Sequence, residues 1–583
     1  MKRFWIVLPI ALFVLSCSDQ KESAAPEPPF LKSITKDSTS TYEEGMVFWE
    51  QMANHYDEIE MFSYGETDAG LPLHVVIIDG ERPRPIGAYK QGTKQVILIN
   101  NAIHAGEPDG VDASMILAHQ LMTEQRFKKL LENTTVCIIP FYNIGGVLNR
   151  NTSTRANQNG PAEYGFRGNA QNLDLNRDFI KCDSRNALTF ATLVNELDPD
   201  LYIETHVSNG ADYQYTLTYL STQEDKLDPV LGEAMRNRWT PFVVDHVRKA
   251  GFKVSPYVNV HGQPPDNGFT TFYDSPRYST GSLALRQTPG YITETHMLKP
   301  YAKRVESTLE FLMGCVKLSN QFPIRRAVDE SRKRMKEKIE FALDWTVDSS
   351  VYKTLTFEGY VAKYKPSVVT GSERLFYDRN EPFQKEVKYF NRMIPSTTVT
   401  APEFYILRRG FVEVEDRLRA FGVTLTEMEK DTLMTLETYR IKDYKTSTSV
   451  FEKHYAHTNV IVDTLVQQIQ IRKGDWMIKL DNLHRRFLVE VLEPFGPDSY
   501  FKWNFFDAIL QQKEWYSSYV FEDEAAEMLN NNQELKIEFE TKKASDPAFK
   551  ENPRAQLYWL YTHSNHYEKE HLLYPVYRGI EGC

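Results

Sequence analysis

At 583 residues the chain is too long for one ordinary domain, and length alone predicts roughly two to four. Its 41% hydrophobic and 25% charged residues are those of a soluble globular protein and exclude a largely disordered one. A formal net charge of -11, with no stripe rich in lysine or arginine, excludes a nucleic-acid partner and leaves a small or peptide-like one.

Lys2 and Arg3 precede an apolar run from Phe4 to Leu15, the form of a signal peptide and too short to span a bilayer. The run ends in "VLSCSDQKES", where Cys17 follows Leu15 and Ser16. This resembles a bacterial lipobox, in which residues 1–17 are the signal, Cys17 is lipidated and becomes the mature N-terminus, and 18–39 form a tether. A plain secretory signal with an incidental cysteine is the alternative. Either pattern predicts export across the inner membrane, and the lipid would hold the protein in the periplasm or at the outer membrane. Cys137, Cys182, Cys315 and Cys583 form no C-x-x-C, so neither a disulfide framework nor a zinc–thiolate site is expected.

From residue 40 to 322 short β-rich runs alternate with helical patterns. Strands are expected at 73–79, 95–100, 134–142, 200–206 and 290–296, and helices at 111–122 and 184–197, where apolar residues recur at three and four. The alternation predicts an α/β/α sandwich with a mixed, largely parallel sheet. A closing helix at 305–322 leads into a highly charged, solvated connecting helix over 323–345. Residues 346–583 are expected to form an accessory α+β region rich in β, with strand character at 352–364 and 404–414 and a helix at 507–516.

Ligands of open α/β sheets bind beyond the carboxyl ends of the strands. Three groups fall there: His104 and Glu107 in "HAGE" after the strand "VILIN", His206 at the end of "DLYIETH", and Glu294 at the end of "GYITE". Two neutral imidazoles and a carboxylate suit zinc, and a further free carboxylate suits a general base. Position alone does not separate ligand from base. Singly each signal is weak, because an H-x-x-E is also what a turn entering a helix with an acidic first turn provides.

The segments "HAGE", "NLDLNRDF", "LYIETH" and "YITETH", in that order, together with "YGETDAGLPLHVVII", resemble the zinc carboxypeptidase family typified by pancreatic carboxypeptidases A and B. The resemblance covers about residues 40 to 320. It implies one zinc ion held by His104, Glu107 and His206, with Glu294 as general base and proton shuttle. Asn176 and Arg177 would hold the free carboxylate of a peptide, and Asp174 would orient His104. For the arginine that polarises the scissile carbonyl, the frame around "RGNAQNLDLNR" favours Arg167, with Arg155 as runner-up. For the tyrosine closing over the substrate, "YDSPRYSTG" offers Tyr273 and Tyr278, and Tyr278 is favoured. Arg277 beside it reads as solvated, and His296 as structural or as supporting the base.

Other clusters weigh less. "HYAH" (His454, His457) and "HSNH" (His563, His566) have ligand spacing without a third ligand, and "LEPFGPDSYFKWNFF", with Glu493 and Asp498, reads as an aromatic-packed turn rather than a glycosidase pair. The sequence thus predicts a secreted, lipid-anchored zinc metallocarboxypeptidase acting on peptides with a free carboxylate. The rivals are a zinc amidohydrolase acting on peptidoglycan stem peptides or N-acyl amino acids, and a non-catalytic envelope binding lipoprotein.

Overall fold

The computed structural model describes residues 24–480 and 483–580, so Cys17, the expected lipidation site, and Cys583 lie outside the described residues. The segment expected as a tether up to residue 39 is already packed over its second half. His119 Nδ1 lies 2.9 Å from the Pro26 carbonyl, and the buried Phe30 ring meets Tyr301 edge-on at 5.9 Å.

The central sheet comprises β1 (Ile59–Glu66), β2 (Pro72–Ile78), β3 (Gln95–Asn100), β4 (Thr134–Ile139), β5 (Leu201–Ser208), β6 (Leu217–Ser221) and β7 (Val254–Pro256). A two-residue strand β8 (Phe269–Thr270) stands apart from it, and β9 (Gly290–His296) completes it. The order across the sheet is β1-β2-β4-β3-β5-β9-β6-β7. The four central strands are mutually parallel, whereas β2 and β6 run antiparallel to β4 and β9. The central strands are apolar on both sides because both faces are covered. Ile97 and Ile99 join a core with the helices Tyr42–His55, Asp109–Thr123, Thr240–Lys249 and Tyr301–Gln321, while Val96 and Leu98 join a second core under the helix Arg185–Leu197. Local signals set these helices. Thr41 and Glu44 exchange capping bonds of 3.1 and 2.9 Å at the start of the first, and Ser184 caps the last through the Ala187 amide at 3.0 Å.

The chain leaves β3 for β4 on one side and returns to β5 on the other, so strand order reverses at β3. The crevice of an open α/β sheet forms at such a point, outside the carboxyl ends of the strands. The parallel register then sets His206 of β5 directly beside Glu294 of β9.

The C-terminal half is β-rich, with short helices. β10 (Glu340–Val347) pairs with β13 (Met393–Thr400), and the long hairpin of β11 (Lys353–Pro366) and β12 (Glu373–Phe390) extends onto β8. A six-stranded sheet is built from β14 (Phe404–Leu407), β15 (Thr426–Glu427), β16 (Thr432–Thr446), β17 (His457–Ile471), β18 (Trp476–Lys479) and β19 (Val576–Arg578). The helices Ser518–Asn531, Gln533–Ser545 and Pro553–Thr562 carry a small core of their own.

Three expectations are corrected. The run 323–345 is a helix only over Ile324–Glu337; "EFALDW" after it is strand β10, with Phe341 and Leu343 buried. That helix is not a free solvated surface either, since Arg325, Arg332 and Arg334 bind Asp200, Asp198 and Asp228. Residues 404–414 split into β14 and the start of a helix at Val412, and 507–516 contain only the single turn Asp507–Leu510. Short apolar patterns do not distinguish strand from helix, and the packing partner decides.

Arg304 is fully buried and pairs with Asp109 at 3.0 Å, while its remaining N–H groups donate to the carbonyls of Asn159 and Gly160 at 2.9 and 2.8 Å. This ties the closing helix to the helix that follows "HAGE". Arg304→Met leaves the Asp109 charge uncompensated, and a loss of about 3–5 kcal/mol is expected from the urea midpoint; an unchanged midpoint would show that the pair is not needed.

Candidate active site

Beyond β3 the chain turns through Ala102, whose φ of 56° is left-handed, and presents His104 and Glu107 on a turn closed by the Glu107 amide donating to the His104 carbonyl at 2.9 Å. Gly106 sits between them because a Cβ there would stand 2.6 Å from Arg155 Nε. Close approach, not left-handed backbone, requires this glycine.

His104, Glu107 and His206 are all buried and converge, with one donor atom of each within 4.8 Å of the others. His104 Nδ1 and His206 Nδ1 face each other at 3.1 Å, and Glu107 lies 3.2 Å from the first and 2.9 Å from the second. Two ring nitrogens and a carboxylate aimed at one point need a cation or a proton between them. Burial opposes charge on His206, yet its bonds to Glu107 and Glu204 push its pKa up to about 10. Burial likewise opposes charge on Glu107, yet Arg155 and His104 hold its carboxyl well below the usual range. The donor set of two imidazoles and one carboxylate fits a zinc ion.

The outer ends of both imidazoles are held. His104 Nε2 lies 2.9 Å from Asp174 Oδ1, and His206 Nε2 lies 3.5 Å from Glu204 Oε1. The His104–Asp174 bond favours the tautomer with Nδ1 free to ligate, whereas Glu204 stands at ion-pair distance from His206. Glu204 was not singled out in the sequence, although a signal existed: in "YIETH" it stands two residues before His206, hence on the same face of β5. Tyr202 Oη and Ser279 Oγ donate to Glu204 Oε2.

These groups open onto a cavity of about 530 Å³ that also takes in Arg155, Arg167, Asn176, Arg177, Tyr278 and Glu294. Burial pushes the Glu294 pKa up to about 8; His206 opposes the shift, and Glu107 and Glu204 add to it. Asp174 caps the turn Leu175–Arg177 through the Asn176 amide at 2.9 Å, which projects Asn176 and Arg177 into the cavity. The Arg177 guanidinium lies over the Tyr278 ring, 4.7 Å from its centre. Of the two candidate arginines, Arg167 is fastened to Asp174 Oδ2 by Nε and Nη2 at 3.0 and 2.9 Å. Arg155 Nη1 reaches Glu107 at 2.8 Å, while its Nη2 is buried without a hydrogen-bond partner, as is Asn176 Oδ1.

The remaining candidates lie elsewhere. Tyr273 is turned to Lys226 and Asp344, Arg277 to Asp498 at 2.8 Å, and His296 Nε2 to the Ala211 carbonyl at 3.0 Å. Arg277, expected to be solvated, is therefore paired. His454 and His457 meet Asp183 and Asp507, and His566 meets Glu524 on the surface. Glu493 is taken up by Tyr405 and Arg578.

Residues 46–222 match the family model described as zinc carboxypeptidase, a span that holds His104, Glu107, Asn176, Arg177 and His206 and ends before Glu294. No curated protein matches the sequence. Among solved structures, the chain is similar to a metallo-carboxypeptidase from Burkholderia cenocepacia, at 14% identity over 49% of this chain and 70% of that one, with a TM-score of 0.37. It is similar to a carboxypeptidase A from Helicoverpa armigera at 14% identity over 51% and 75%, with a TM-score of 0.36. Bovine thrombin-activatable fibrinolysis inhibitor shares 15% identity over 50% and 98%, with a TM-score of 0.36. The similarity to the zinc carboxypeptidase family thus rests on residues 46–222, about a third of the chain.

Proposed function

We propose that the protein is a metallocarboxypeptidase that removes the C-terminal residue of peptides. The observation that carries this reading is the content of one cavity: the cluster of His104, Glu107 and His206, the carboxylate of Glu294 beside it, and the Arg177 guanidinium with the neutral Asn176 amide. A zinc ion held by the three ligands supplies a Lewis acid that polarises an oxygen and makes water easier to deprotonate.

The protein's own groups supply the rest. Arg177 is a planar donor suited to a carboxylate in two parallel bonds, and Asn176 adds an amide beside it, so a peptide end is fixed with its last amide bond over the cluster. Glu294, with a raised pKa, takes a proton from the attacking water as the new C–O bond forms. It gives that proton to the leaving amine nitrogen as the C–N bond breaks. The carbonyl oxygen gathers negative charge on the way. Arg155 is the better placed donor for it, since Arg167 is committed to Asp174. Tyr278, held under Arg177, closes the cleft over the substrate side chain.

Two measurements bear on this reading. Arg177→Ala is expected to lower kcat/KM by about 10- to 100-fold for peptides with a free carboxylate and to leave C-terminally amidated analogues unaffected; equal effects on both would remove the exopeptidase reading. Arg155→Ala is expected to cost about 100-fold or more in kcat, and Arg167→Ala less. The reverse order would return the carbonyl role to Arg167.

A further inference from the structure

The C-terminal half reaches into the cleft at one point. Residues 447–456 form a small hairpin, joined at its base by the Ser447 amide to the Ala456 carbonyl at 3.0 Å. Its tip is closed by reciprocal backbone bonds between Phe451 and His454 at 2.8 and 3.0 Å. The two residues between them, Glu452 and Lys453, both have left-handed backbone, with φ of 46° and 75°. A two-residue hairpin turn of this kind favours Asn-Gly, and side chains with a Cβ are strained there. Such strain persists only where the surroundings over-determine it.

What over-determines it is contact with the segment that carries the substrate clamp. His454 Nε2 lies 2.7 Å from Asp183 Oδ2, and Asp183 is also bound by Lys181 and by Arg417 at 2.7 and 3.1 Å. The Phe451 ring stacks on Trp503 at 6.3 Å. Held this way, the tip points Glu452 at the start of the turn Leu175–Arg177, and Glu452 Oε2 accepts the Asp174 amide at 2.8 Å. Asp174 is the residue whose carboxylate faces His104 Nε2 and receives Arg167. An amide at a turn's capping position otherwise has water or nothing as its partner. Here it is fixed by a side chain 278 residues away in sequence.

We infer that Glu452 is a positioning residue. By holding the Asp174 amide, it fixes the carboxylate that orients His104, so the C-terminal region sets the geometry of the metal ligands without touching substrate. This rests on the proposed function, because the ligand whose orientation matters is His104.

The test uses the full-length protein as wild type, Glu452→Ala, Glu452→Gln and Lys453→Gly. Zinc affinity is read by competition with a chelator, kcat and KM on a peptide with a free C-terminus, and the thermal midpoint as a check on folding. Glu452→Ala is expected to weaken zinc binding by about tenfold, with a matching fall in kcat and an unchanged KM. Glu452→Gln, whose amide oxygen accepts the same bond, is expected to recover most of both. Lys453→Gly, which relieves the left-handed strain and keeps the carboxylate, is expected to bind zinc as the wild type does. Wild-type zinc affinity and kcat in Glu452→Ala would overturn the inference, and so would a Glu452→Gln variant as impaired as Glu452→Ala. An active, zinc-binding wild type matched by Glu452→Ala overturns this inference alone, whereas a wild type that binds no zinc overturns the proposed function with it.

Discussion

Asp174 divides its acceptor capacity among three parts of the cleft. Oδ1 faces His104 and the Asn176 amide at 2.9 Å each, and Oδ2 takes the Arg167 fork. Burial opposes its charge, and its partners His104, Arg167 and Arg177 nonetheless hold the carboxyl far below the ordinary carboxylate range, which favours the ionised form. A single permanently charged group thereby sets one imidazole, one guanidinium and the entry to the clamp turn. Were it neutral, His104 would be free to choose its tautomer and the turn would lose its cap.

The second constraint is charge balance. Glu107, Asp174, Glu204 and Glu294 crowd the end of three adjacent parallel strands, faced by Arg155, Arg167 and Arg177. Without a metal the remaining negative charge is met partly by a proton on His206 and partly by one on Glu294, whose pKa values are pushed up to about 10 and about 8. A divalent cation held by the three ligands would replace the first proton and favour the ionised form of Glu294, which the proposed role as base requires.

Much of this was legible in the sequence. β3, β4, β5 and β9 were readable as short β-rich runs, and their alternation with helical patterns implied a largely parallel sheet. Their carboxyl ends then located His104, Glu107, His206 and Glu294, and the structure gathers these with Asn176, Arg177 and Tyr278 around one cavity, with Asp174 behind His104. Glu204 is readable from two-residue periodicity, since it shares a face of β5 with His206. The roles of Arg155 and Arg167 were not readable, because both sit on loops whose course depends on Gly106 and Asp174. In the C-terminal half, short runs such as 340–347 and 507–516 depend on tertiary partners for their form. Glu452 left no local trace at all, since its meaning comes from the Asp174 amide.

The central claim is that a zinc ion held by His104, Glu107 and His206 works with Glu294 as the proton carrier. The direct measurement is metal content and single-turnover rate of the Glu294→Gln protein beside the wild type. The account predicts about one zinc per chain in both proteins and a rate lowered by about 10²- to 10⁴-fold in the variant. A wild type that is active without zinc, or a zinc-loaded variant with undiminished turnover, would contradict it.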